Sequence, residues 1–303
     1  KYGAQVRGLQ KQDFTLLDDK EPHEILSFEA VDTAASGDAG IEVVLVIDAI
    51  NAGFNAVARE RDQVKKFLLQ DGGKLPVPMS LMIFSDKGME VQKATRDGNA
   101  LATEYEQYET GLRTINRSQG IYGAEERFEK SLKTIHSLTV YEATRPGRKL
   151  VIWISPGWPL LSTPRIHLTD KDEEHFFAMI VAASAELRQA RVTLYVVDPL
   201  GLPDFRRARY FEEFVKGVKS PRNALPGNLG LQVLAVQTGG LVLNTTNDLT
   251  TAVATCAADA TSYYVLSFAP KRADQANEYH SVKINIDKPG LNARTRTGYY
   301  NQP

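Results

Sequence analysis

Ser155 is the first residue to weigh as a reactive group. It follows the buried-type run Leu150-Val151-Ile152-Trp153-Ile154, and Asp198 and His280 come later, in the chain order of a serine hydrolase triad. A nucleophile elbow also needs glycine two residues before the serine, because helix and strand crowd around a strained turn. Trp153 stands there, and Pro156 lacks the backbone N–H an oxyanion hole would use. His167 and His175 flank Asp170 and Asp172 in a second grouping, with the residue types of a metal cluster. Residues 170–174 also read as the acidic first turn of a helix capped by Thr169 or Asp170, where the dipole's positive end favours carboxylates. No Gly-x-Gly-x-x-Gly follows the first buried strand, and no Gly-x-x-x-x-Gly-Lys-Ser/Thr occurs, so nucleotide-binding signatures are missing.

These residues must be positioned by three zones. Residues 1–40 hold short strand-like runs, Phe14 to Leu17 and Ile25 to Phe28, around the turn-rich 18–22, and end in the small polar linker 33–40. Residues 41–261 alternate buried strands (43–47, 80–84, 89–91, 150–154, 192–197, 241–243) with helical patterns (57–69, 99–115, 125–138, 172–190, 229–237 and from 249). That alternation predicts an α/β domain with a mostly parallel, doubly wound, Rossmann-like sheet. Residues 199–227, with Pro199, Pro203, Pro221 and Pro226, read as an irregular insertion. Residues 262–303 return to strands at 263–267, 282–286 and 293–297. Neither end has the apolar residues for a core of its own, so the two are expected to pair as one small β-domain, with the α/β zone inserted between them.

The formal net charge of -1 offers no field for a polyanion, so a nucleic-acid partner is not expected. Arg206, Arg207 and Arg209 are followed at once by Glu212 and Glu213, as on a solvated face. No apolar run reaches the ~18 residues of a membrane span. The single cysteine, Cys256, lies in the small-residue helical stretch 252–260 and reads as a buried, inert thiol. The chain opens on Lys1, which leads us to expect an upstream segment that was removed, a signal peptide among the options.

The central zone resembles a von Willebrand factor type A domain. The resemblance is carried by Asp48-Ala49-Ile50-Asn51-Ala52 after the first strand, by Ile83-Phe84-Ser85-Asp86, and by Leu234-Ala235-Val236-Gln237-Thr238-Gly239-Gly240. Over nearly the full length the chain resembles the von Willebrand factor A-related proteins of acidobacteria. There the carrying segments are Gly8-Leu9 with Asp13-Phe14, residues 153–157, residues 195–201, residues 262–266, and Arg294-x-Arg296-x-Gly298-Tyr299.

That resemblance implies a strand order 3-2-1-4-5-6 within the zone, with a ligand crevice between the ends of strands 1 and 4. It also implies a secreted or periplasmic protein with an unidentified protein partner. In the family a divalent cation sits at this edge, held by an Asp and two hydroxyls from strand 1, a Thr from a middle loop and a second Asp after strand 4. This chain keeps Asp48 only. Ile50 and Ala52 replace the hydroxyls, Tyr122 to Glu125 offers no Thr, and Pro156 stands about where the second carboxylate belongs. The expectation is a degenerate metal-ion-dependent adhesion site without a cofactor, in a module that binds a protein and is not an enzyme. Its candidate contact residues are Asp48, Asn51, Ser85, Ser155, Trp158 and Asp198. Asp48 and Asp198 could instead only cap backbone amides, and Trp158 could pack over the sheet end. Two alternatives stay open: an unorthodox Mg²⁺ or Ca²⁺ site from Asp48, Asn51, Ser155 and Glu125, and a serine hydrolase.

Overall fold

The computed structural model describes residues 5–33, 41–51, 54–85, 88–109, 121–159, 168–198, 209–244 and 248–303. Most of the linker at 33–40, the Asp86-Lys87 turn, His167 and residues 199–208 of the insertion lie outside that set.

At the amino-terminal end, β1 (Phe14–Asp18) alternates buried and half-buried positions, the period-2 pattern of a one-sided strand. Asp19 and Lys20 both take positive φ, 48° and 71°, and form a two-residue turn into β2 (Glu21–His23). The turn-rich 18–22 therefore does not join the Phe14 and Ile25 runs directly, because residues 21–23 themselves pair with β1. The turn closes on the Asp18–Glu21 pair, and β3 (Ser27–Asp32) pairs elsewhere.

In β4 (Glu42–Asp48) every position is buried, as a strand covered on both faces requires. Then follow α1 (Phe54–Leu68), β5 (Lys74–Ser85), the antiparallel β6 (Gly88–Val91), β7 (Thr95–Asp97), α2 (Gly98–Glu109) and α3 (Ile121–Ala143). The stretch Tyr122 to Glu125, expected as a loop, is the first turn of α3. That helix is held down by Phe128, Ile135 and Leu138 at helical spacing. Next come β8 (Lys149–Ile154), α4 (Asp170–Gln189), β9 (Val192–Val197), α5 (Leu231–Gln237), β10 (Val242–Leu243) and α6 (Leu249–Ala258).

The strands order as β10-β9-β8-β4-β5-β6, with β7 also on β5. Counted within the zone this is 6-5-4-1-2-3, the order the resemblance implied. β4, β5, β8, β9 and β10 run parallel, so their carboxyl ends share one edge. Alternation along β4 divides the core: Val43, Leu45 and Ile47 pack with residues of α1, α2 and α6. Val44 and Val46 pack with residues of α3, α4 and α5. The sheet is therefore doubly wound. Cys256 is buried on α6 as expected, and burial pushes its thiol up.

At the carboxyl end, β11 (Ser262–Ser267) pairs antiparallel with β3, and β12 (Glu278–Ile286) pairs with β1. The last strand is β13 (Gly298–Asn301), not 293–297. The backbone of that earlier stretch is used otherwise: the Thr297 N–H donates to the Gln237 carbonyl at the end of α5. Leu9, Phe14, Leu16 and Ile25 pack here with Phe28, Tyr264 and Ile284, so this small core draws on both ends of the chain. Among the described residues no helix is long and apolar enough to cross a membrane.

Division at 41 and 261 makes a prediction. A fragment of residues 41–261 should keep its helical far-UV circular dichroism, with a lowered thermal midpoint because Tyr300 no longer covers Phe177. Fragments 1–40 and 262–303 should each be unfolded alone; two independently folded ends would reject the division.

Candidate functional site

The parallel edge of the sheet brings Asp48 at the end of β4 beside Ser155, just past β8, because Ile47 and Ile154 are in register. This is the switch point, where winding reverses between strands 1 and 4. The Asp48 carboxylate is fully buried and accepts five hydrogen bonds. Its Oδ1 takes the N–H groups of Ile50 at 3.1 Å and Asn51 at 2.9 Å. Its Oδ2 takes Asn51 Nδ2 at 2.9 Å, Trp153 Nε1 at 3.1 Å and Ser155 Oγ at 2.8 Å. An ionised carboxylate has about four lone-pair directions, so these donors occupy the whole group. Burial pushes its pKa up, while the donors favour the charged form.

A second layer fixes those donors. Asn51 Nδ2 also reaches Ser131 Oγ on α3 at 3.0 Å, and the Gly157 N–H donates to Ser155 Oγ at 3.1 Å. Gly157 has φ 104°, and a side chain there would strike Gln232, whose Nε2 donates to the Pro156 carbonyl at 3.3 Å. Trp153 lies edge-on to Phe84 and to Trp158, with centroids 5.9 Å and 5.5 Å away.

The six candidate contact residues therefore fall into two sets. Asp48, Ser155, Trp158 and Asp198 are buried, Trp158 at 4% exposure beneath Trp153. Asn51 and Ser85 are half-buried, but the Asn51 amide is directed inward, with Nδ2 on Asp48 and Ser131 and Oδ1 buried, which leaves Ser85 at the rim. The Asp198 N–H continues the ladder to the Leu243 carbonyl. Glu125 is exposed on α3 and supplies none of Asp48's contacts. Within the four-residue cation set, the one buried carboxylate carries five protein donors, and Ser155 spends its proton on it. His280 lies in β12 beside Asp18, Asp19 and Tyr299, and Ser155 bonds Asp48 and Gly157 instead.

The grouping around residues 167–175 resolves as a helix start. Thr169 and Asp172 form a reciprocal cap on α4, and the Thr169 donors hold the Asp172 carboxyl below its usual range. His175 is exposed nearby. Sequence reasoning took Trp153 as core only, and missed both its indole N–H and Ser131 as parts of the Asp48 network. The available signal was a tryptophan two residues before a strand-end serine, on the strand next to the one that ends in Asp48.

No protein-family model matches the chain, and no curated protein matches it. Solved structures with similar shape include BatB, a conserved hypothetical protein from Bacteroides thetaiotaomicron. It is 16% identical, with 73% of this chain and 98% of that chain covered and a TM-score of 0.39. The manganese-loaded TRAP protein of Plasmodium vivax is 9% identical, covering 91% and 96%, with a TM-score of 0.38. The pilus adhesin SpaC of Lactobacillus rhamnosus GG is 10% identical over 96% of this chain and 48% of its own, at 0.40. These scores are low, so the fold stands on the strand order and registers.

Proposed function

We propose that this chain is a non-catalytic protein-interaction module that recognises its partner without a cation at the end of β4. The observation that supports this reading most directly is the saturation of Asp48 by five protein donors, where a metal-dependent site would leave oxygens open to an ion and to the partner's carboxylate. Recognition then falls to Ser85 at the rim of the crevice, and to the insertion, where Tyr210 and Leu225 are exposed large apolar side chains. Exposed aromatic and aliphatic side chains suit a protein surface better than a small polar ligand. Placement outside the cytoplasm, secreted or periplasmic, belongs to the same proposal and draws on the resemblance to the acidobacterial proteins.

The test is capture of partners by the immobilised full chain from the native envelope fraction. Capture should persist in EDTA and fall about tenfold or more in Ser85→Arg or Tyr210→Arg, the scale of a lost contact hot spot. Mg²⁺ should leave the thermal midpoint unchanged, since an ion that binds only the folded state would raise it. Capture abolished by EDTA and restored by Mg²⁺ would reject the cation-free reading.

A further inference from the structure

The β1–β2 turn and β12 bring together three side chains that the crevice does not use. Asp18 is fully buried at the end of β1, Asp19 follows it in the turn, and His280 is 2% exposed on β12. Each carboxylate has one oxygen held by protein donors. Asp18 Oδ2 accepts from Tyr299 Oη at 2.7 Å and from the Lys271 N–H at 3.4 Å. Asp19 Oδ1 accepts from the N–H and hydroxyl of Ser281 at 2.9 Å and 3.0 Å. The other two oxygens are turned toward the imidazole: His280 Nδ1 lies 3.6 Å from Asp18 Oδ1 and 3.3 Å from Asp19 Oδ2.

Neither separation is a charge-assisted hydrogen bond, which would sit at about 2.7–2.9 Å. Asp18 Oδ1 and both ring nitrogens of His280 are buried without a hydrogen-bond partner. Leaving such groups unpaired is costly, about 1–3 kcal/mol for each neutral one. The spacing has another explanation. Two ligands bound at about 2.0–2.1 Å to a tetrahedral ion lie about 3.3–3.4 Å apart, close to both distances. All three ligand atoms fall within 4.8 Å of one another. Two carboxylates also face one imidazole, an excess of negative charge that a dication balances; Lys219 acts on Asp19 from nearby, and Lys271 Nζ pairs with Glu21 instead.

We propose that Asp18 Oδ1, Asp19 Oδ2 and His280 Nδ1 bind a Zn²⁺-class divalent cation. One imidazole with two carboxylates suits that borderline ion better than Mg²⁺ or Ca²⁺, which take oxygen shells. Tyr299, Lys271 and Ser281 orient the ligands by holding the far carboxylate oxygens, the role outer-shell partners play in metal sites. The ion fastens the first hairpin to a strand some 260 positions along the chain, so binding free energy becomes folding free energy of the terminal sheet.

The full chain, stripped with EDTA and dialysed against Zn²⁺, should retain one equivalent by elemental analysis. Its thermal midpoint should rise by about 5 °C or more at roughly 100-fold over the dissociation constant. Asp19→Asn keeps the oxygen that Ser281 holds and removes the ligand oxygen, so a folded variant by circular dichroism should lose both the zinc and the shift. His280→Gln should do the same. Co²⁺ substitution should give visible absorption of a low-symmetry site in the wild type and not in the variants. A folded wild type that retains no zinc, or variants that retain as much as the wild type, would overturn the proposal.

Discussion

Asp48→Ala should be the most damaging single substitution at the sheet's switch point, lowering stability by about 3–5 kcal/mol, the scale of breaking a buried charged network. The alanine removes one acceptor group and strands five donors: two backbone N–H groups, the Asn51 amide, the Trp153 indole and the Ser155 hydroxyl. Each buried donor left unpaired costs about 1–3 kcal/mol, reduced where water or a shifted side chain fills in. Ser155→Ala should cost much less, about 1 kcal/mol, because Asp48 keeps four donors. Urea unfolding of the two variants gives the comparison. If Asp48→Ala were nearly neutral and Ser155→Ala were not, the carboxylate would not be the hub of this network.

The opposite edge of the sheet predicts a substitution that stabilises, and only at higher pH. Glu142, near the end of α3, has a fully buried side chain with neither oxygen hydrogen-bonded, and Arg145 Nη1 is no closer than 4.0 Å. Arg145 instead pairs with Glu42 at 2.6 Å. Burial, and then the neighbouring Glu42 charge, push the Glu142 carboxyl up from 4.5 to about 7. The folded state therefore holds a proton that the unfolded chain has released between those values. Stability from this group is fully present below pH 4.5 and is lost as pH rises through about 7. Glu142→Gln keeps the shape without the charge. It should raise stability at pH 8 by about 2 kcal/mol, or about 4–8 °C in thermal midpoint, and the advantage should vanish near pH 5. Equal midpoints for variant and wild type across that range would show that Glu142 is not charged at cost in the fold.

The two edges explain why a sheet with one set of hydrophobic rules carries different polar chemistry at each end. At the carboxyl edge the buried charge is surrounded by donors and is held by five bonds. At the amino edge Lys149 Nζ donates to the Arg145 carbonyl and to that of Ala190 at 3.3 Å, while Glu142 is left with Coulombic neighbours only. The first arrangement is a rigid support for surrounding loops, and the second is a titrating one.

The amino-acid sequence alone determined the alternating strands and helices, the parallel central sheet and its winding. Runs such as Val43 to Ile47 and Leu150 to Ile154 can only be strands covered on both faces, and the helical spacings between them supply the covers. It also showed Ile50, Ala52 and Pro156 where the resemblance would place two hydroxyls and a second carboxylate, because residue types are visible without coordinates. Only the tertiary structure decided which groups surround Asp48. Trp153 lies 105 positions from Asp48 and Ser131 lies 80 from Asn51, and no local pattern marks an indole as a donor to a distant carboxylate or a hydroxyl as the acceptor that steadies one of its donors. The same holds for Asp18, Asp19 and His280. Their meeting depends on which strands of the two chain ends pair and in which register, and registers are set by turn closure and packing together. A two-residue turn at Asp19-Lys20 sent β3 to β11 instead of β1, and that choice lies in the competition between contacts, not in any one segment.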